Sequence, residues 1–258
     1  MIDEEIISSL RNLLNCLKSK IPTLSPWPRC LLPHNYLPVG LDGFGDGSNH
    51  LSSLTMFLIS SCSPAKPSPS DSYSQNCGAL AKTKHHSVPF RTNEAIGCMM
   101  VTEAGVTYLM DQELALFSVF TPICFSFRDG IDSECFLWSL NPNKVHKSIL
   151  IKNITRNIHA LCKDLTRKFP FVQVIFYHTA SERNPADLCS KECPDPISAI
   201  ESDLWRHGLP EMLDCNWPPA SDIFLKVANA SMASTRTRKL QISEVSWYSL
   251  WTPGQATL

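Results

Sequence analysis

Between residues 148 and 178 the chain changes its hydrophobic period within four residues. Ile151, Ile154, Ile158, Leu161 and Leu165 recur at three- and four-residue steps, the apolar stripe of a helix over 148–168. VQVIFYH, 172–178, follows at once. It is short and densely apolar, and reads as a strand buried inside a sheet. A helix that runs straight into a buried strand must fold back on the sheet containing that strand. That restricts the chain to layered α/β architectures.

The remaining elements fit such a sheet. Residues 36–45 (YLPVGLDGFG) read as a strand ending in a Gly-Asp-Gly turn, and 54–60 (LTMFLIS) as a second, buried strand. Ser and Pro crowd residues 61–76, the composition of a flexible loop, and CGALAKTK (77–84) reads as a third strand. Residues 93–110 form a helix with Ile96, Met99, Met100 and Leu109 on one face, interrupted at Gly105. PICFSF (122–127) is a fourth strand. Asp132 and Ser133 then open a short helix that Asn141-Pro142 stops. Asn184-Pro185-Ala186-Asp187 opens a helix after the last strand, with Pro185 tolerated in its first turn. The order β-β-β-α-β-α-α-β-α implies a mixed sheet covered by helices. Ahead of it lies an amphipathic helix over 3–19 built on Ile6, Leu10, Leu13, Leu14 and Leu17. Behind it, from Cys193, the chain is irregular and proline-rich.

Composition narrows the function classes. A hydrophobic share of 43% in 258 residues suits one sizeable domain with flanks. The net charge of −1 provides no general basic field, so nucleic-acid contact must come from local patches. No basic leader and no run of ~18 apolar residues is present, so an intracellular chain (cytoplasmic or nuclear) with no membrane partner is expected, and its eleven cysteines read as reduced thiols.

Four acids stand at element ends: Asp46 on the first strand, Glu94 in the first turn of the following helix, Asp132 after the fourth strand and Asp187 at the last helix start. Strand ends that neighbour one another bring such acids to one spot on the sheet edge. Carboxylates held together are costly unless divalent cations neutralise them, and hard oxygen ligands suit Mg²⁺ or Mn²⁺. Two such ions can hold a phosphodiester between them. The same acids also read as ordinary punctuation: Asp46 as a turn residue, Asp132 with Ser133 as a helix cap, Asp187 as a helix-start charge. Spacing alone does not identify a nuclease.

The surrounding residues carry a family resemblance. LDGFGDGS (41–48), SVPFRTNEAIGC (87–98), IDSECFLWSLNPN (131–143), YHTASERNPADLCSKE (177–192) and LWRHGLPEML (204–213) resemble, in order, motifs of the RNase H region of Pao/BEL-type retrotransposon polyproteins, often labelled the Pao retrotransposon peptidase family. The resemblance spans about residues 1–215. It implies an RNase H-like α/β fold, a five-stranded mixed sheet with helices on both faces. It divides the chain into a connector with the amphipathic helix (1–33), the RNase H-like domain (34–192, with 61–76 a flexible loop) and a linker or tail (193–258) that precedes an integrase in the family. It implies that Asp46, Glu94, Asp132 and Asp187 bind two Mg²⁺ or Mn²⁺ ions. Asp46 would bridge them, Glu94 and Asp132 complete one site, and Asp187 the other.

The implied activity is hydrolysis of RNA in RNA–DNA hybrids during reverse transcription, alongside reverse transcriptase and integrase parts of the same polyprotein. The alternative is a catalytically inactive remnant that binds nucleic acid or acts as a scaffold. Asp129 rivals Asp132 for the metal role. Ser133 and the Leu137-Trp138 spacing, which match the family, favour Asp132. Gly47 stands where the family has a small Ala, which loosens that turn. Lys82, Lys84 and Arg91 beside Glu94, and Lys152 and Arg156 on the 148–168 helix, are the candidate nucleic-acid contacts. A solvated helix face is the competing reading of the latter pair.

Overall fold

Alternate residues of the first strand, β1 (Leu37–Gly47), face opposite layers, and the two layers differ in kind. Leu41 enters one core, while Asp42 and Phe44 point to the other. The computed structural model describes residues 35–48, 51–64, 66–83, 90–111, 125–190, 196–214, 216–218 and 224–227, with Arg11 and Asn15. The 3–19 helix and the aromatic residues near 250 lie outside the described residues, apart from those two helical positions.

β1 pairs antiparallel with β2 (Leu51–Ser61), and β2 pairs antiparallel with β3 (Ser72–Thr83). After helix α1 (Phe90–Asp111) the chain returns as β4 (Phe125–Ile131), parallel to β1 on its other side. Helices α2 (Glu134–Ser139) and α3 (Ile149–Lys168) lead to β5 (Val172–His178), parallel to β4. The five strands stand in the order 3-2-1-4-5, the mixed sheet of an RNase H-like fold, and a short β6 (Phe224–Val227) adds an antiparallel sixth strand beside β5. The tail therefore contributes a strand where irregular chain was expected.

Several boundaries differ from those read in the sequence. β1 continues through Gly45-Asp46-Gly47, so the predicted turn waits until Ser48. Residues 72–76 belong to β3 although they sit in the Ser-rich stretch, because full pairing with β2 outweighs their composition. FRDGI is the body of β4. Gly105 does not interrupt α1. A Cβ there would lie 2.5 Å from the ring of Phe127, so the glycine lets helix and sheet approach. Gly45 acts likewise on the strand, where a Cβ would lie 2.5 Å from the carbonyl carbon of Gly97. Gly47 is no loosened turn either, since a Cβ there would meet the Asn93 backbone at 2.4 Å.

One face of the sheet carries α1 and α3 over a core of Leu41, Leu54, Val101, Phe127, Ile158, Leu165 and Phe176. The other face is closed by the end of the expected domain together with residues assigned above to the linker. Helices α4 (Asp187–Ser190), α5 (Pro196–Glu201) and α6 (Asp203–His207) and the turn Pro210–Leu213 follow β5. From this stretch Ala186, Leu209 and Met212 pack on Val39, Phe44, Phe57, Ile59 and Tyr177. Arg128, buried on β4, fixes the cover. Its guanidinium pairs with Asp42 and donates to the carbonyls of Met212 (2.8 Å) and Trp217 (3.2 Å). At the sheet edge the Asn76 amide donates to the Trp205 carbonyl, and a His207 ring nitrogen meets the Ser74 carbonyl. Residues 196–218 and β6 thus pack with the sheet, in the stretch read above as linker.

Candidate metal centre

Each acid is delivered by a different element. Asp46 lies on the last turns of β1, opposite Ser53 of β2, and is 4% exposed. Asp132 follows the end of β4. Ser133, next to it, caps α2 by accepting from the Phe136 N–H, which fixes the direction in which the chain leaves the strand. Asp187 is the first residue of α4. Since β1, β4 and β5 are adjacent and parallel, their carboxyl ends lie at one edge, and these three residues meet there. One carboxylate oxygen from each of Asp46, Asp132 and Asp187 lies within 4.8 Å of the others.

Glu94 approaches from α1 and hydrogen-bonds with Asp132, although it is not one of the three residues whose oxygens lie within 4.8 Å of one another. The helix begins at Phe90, so Glu94 sits a full turn in, where the sequence placed it in the first turn. Burial, a hydrogen bond to Asp132 and the charges of Asp132, Asp46 and Asp187 together push its carboxyl up to about 9. At neutral pH, without a cation, Glu94 therefore holds a proton. Glu94 Oε2 and Asp132 Oδ1 are both buried and meet no hydrogen-bond donor among the described residues. Oxygen-only ligands, mutual repulsion and buried lone pairs without donors are what a hard divalent cation satisfies. The residues present fit such an ion.

Asp129 is not part of this group. It is fully buried in the α1-side core, where its Oδ2 accepts from the Cys98 thiol at 3.2 Å. Burial raises its carboxyl well above the ordinary range. β4 turns Asp129 inward, whereas the strand end turns Asp132, the residue favoured from the sequence, toward Asp46 and Asp187.

The candidate nucleic-acid contacts are distributed unevenly. Lys152 and Arg156 are exposed on α3, whose opposite face buries Ile154, Ile158 and Leu165. Neither joins an ion pair among the described residues. Trp138 on α2 and Val145 and Ile149 beyond it are also exposed, in the stretch that joins the strand end carrying Asp132 to α3. Lys84 lies outside the described residues. Lys82 and Arg91 fall on β3 and the start of α1, with side chains outside the described set. Ser181, which the sequence reading overlooked, donates its hydroxyl to Asp132 Oδ2 at 3.1 Å. No helix among the described residues is long and apolar enough to cross a membrane.

No family model matches the chain, and no curated protein matches it. Among solved structures it is similar to RNase H1 from the halophilic archaeon Halobacterium salinarum NRC-1, at 12% identity over 57% of this chain and 90% of that one, with a TM-score of 0.34. It is similar to LC11-RNase H1, isolated from compost by a metagenomic approach, at 16% identity over 58% and 91%, with a TM-score of 0.35. A third is the N-terminal RNase H domain of rv2228c from Mycobacterium tuberculosis, solved as a fusion with maltose-binding protein, at 11% identity over 63% and 96%, with a TM-score of 0.36.

Proposed function

We propose that this chain is the RNase H-like nuclease module of a Pao/BEL-type retrotransposon pol polyprotein, which hydrolyses the RNA strand of RNA–DNA hybrids using two Mg²⁺ or Mn²⁺ ions. The observation that carries this reading is the convergence of Asp46, Asp132 and Asp187, one carboxylate oxygen of each within 4.8 Å of the others. The retrotransposon context rests on the ordered motifs, above all NPADLCS at 184–190 followed by LWRHGLPEML at 204–213.

When bound, a pair of divalent ions supplies an activated water on one side of a phosphodiester and stabilises the leaving oxygen on the other. The chain's own part is to hold that pair and the substrate. Asp46, the most enclosed of the three aspartates, would lie between the two ions. Glu94 and Asp132 would hold one and Asp187 the other. Glu94, its carboxyl raised without a cation, would give up its proton to solvent when a cation binds. Asp132, held through its Oδ2 by Ser181, keeps Oδ1 for the site. Lys152 and Arg156, exposed and in no ion pair among the described residues, offer cations to a phosphate backbone, with Trp138 as an exposed apolar surface on α2.

The test is a gel assay of an RNA–DNA hybrid labelled on either strand, with Mg²⁺ or Mn²⁺, against double-stranded DNA and RNA controls. Cleavage of the RNA strand alone, lost in Asp132→Asn, is expected. An intact hybrid after incubation with folded wild-type protein overturns the assignment.

A further inference from the structure

The stretch between β5 and α4 is tied to every strand that carries an acid. The Thr179 N–H donates to the Ile131 carbonyl at 3.0 Å, which carries the β4–β5 ladder past the strand ends. The side chain of Asn184, 1% exposed, makes two bonds. Its Nδ2 donates to the Gly45 carbonyl and its Oδ1 accepts from the Ala186 N–H, both at 3.0 Å. From β2 the hydroxyl of Ser53, fully buried, donates to the Ala186 carbonyl at 2.8 Å.

The recipients of these bonds are informative. The Gly45 carbonyl belongs to the peptide that enters Asp46, and the Ala186 carbonyl to the peptide that enters Asp187. Ser53 is the register partner of Asp46. Two buried side chains therefore join the backbone next to one aspartate to the backbone next to the other. α4 has four residues and cannot hold Asp187 in place alone. Carboxylates that repel one another would otherwise drive this loop outward.

We infer that Asn184 and Ser53 are positioning residues that brace Asp187 against Asp46 at the separation a divalent cation needs. The inference rests on the metal-binding reading above, and it concerns cation affinity before it concerns cleavage. Partners that orient ligands commonly affect affinity about 10- to 100-fold.

The experiment is calorimetric titration of Mn²⁺ into the full chain, comparing wild type, Asn184→Ala and Ser53→Ala. Ile158→Val, a core change under α3, serves as a control for general loss of stability. About tenfold weaker Mn²⁺ binding in Asn184→Ala and a smaller loss in Ser53→Ala, with Ile158→Val unchanged, support the inference. In a cleavage assay the same variants should need more Mn²⁺ for half-maximal rate while approaching the wild-type rate at saturation. If Asn184→Ala does not fold, Ser53→Ala carries the comparison. Wild-type affinity in the folded variants overturns the inference and leaves the metal centre standing. Absence of Mn²⁺ binding by wild type overturns both. Weakened binding in the variants, with no hybrid cut by wild type, supports the bracing and removes only the nuclease assignment.

Discussion

Replacing Arg128 by Met isolates the charge buried beneath the C-terminal cover. Arg128 and Asp42 are 4% and 0% exposed, and Arg128 also holds the Met212 and Trp217 carbonyls. Burial raises the Asp42 carboxyl from an ordinary 3.8 to about 6, and the guanidinium pulls against that rise. A carboxyl raised on folding leaves stability fully present below its unfolded value, near pH 4, and removes it as pH climbs through the folded value. For wild type this removes about 3 kcal/mol between pH 4 and 7, at about 1.4 kcal/mol per pH unit. Without Arg128 the Asp42 carboxyl rises further, so loss continues above pH 7 where the Asp42 contribution in wild type has levelled. We expect Arg128→Met to cost about 3–5 kcal/mol at pH 8 and distinctly less at pH 5, where Asp42 is protonated. Urea denaturation at both pH values measures it, with wild type run in parallel because Glu94 titrates in both proteins. Asp42→Asn combined with Arg128→Met should remove the extra pH dependence. An equal cost at pH 5 and pH 8 would refute the reasoning.

Three further outcomes are expected. Asp132→Asn should lower hybrid cleavage at least about 100-fold, whereas Asp129→Asn should leave an active fraction with the wild-type rate per folded molecule; the reverse pattern in the gel assay would exchange their roles. In chelator, melting temperature should fall as pH rises from 6 toward 9, because Glu94, raised to about 9, keeps in the folded state a proton that the unfolded chain has lost; Glu94→Gln in chelator and saturating Mg²⁺ in wild type should each flatten that slope, both read from thermal melts. Gly45→Ala places a methyl 2.5 Å from the Gly97 carbonyl carbon and should cost about 1–3 kcal/mol or more in a denaturant titration.

Much of the layered architecture can be read from local pattern. The Ile151–Leu165 stripe predicts α3 to within a residue, and VQVIFYH gives β5 at its observed bounds. These segments carry one strong period each. The sequence fails where long-range pairing decides. Ser72–Asn76 look like loop and become strand only because β2 is there to pair with them. The three converging aspartates are legible one by one as element-end acids, but their meeting depends on β1, β4 and β5 lying side by side. Asn184 looked like the opening of a helix. Its bond to the Gly45 carbonyl spans 139 residues and leaves no local trace. The alternating glycines of LDGFGDG carry a signal, because a glycine at every second strand position marks a face that a helix approaches closely, here through the Val101 side chain at Gly43 and through helix backbone at Gly45 and Gly47.

The buried Arg128 also determines where the chain can be divided. Its two carbonyl partners lie 84 and 89 residues downstream, beyond α4, α5 and α6. A cut near 192 would remove both and bare Phe44, Phe57 and Tyr177 to water. If the chain is cut from a longer one, a product that keeps all six strands of its sheet and their cover must be severed downstream of Val227.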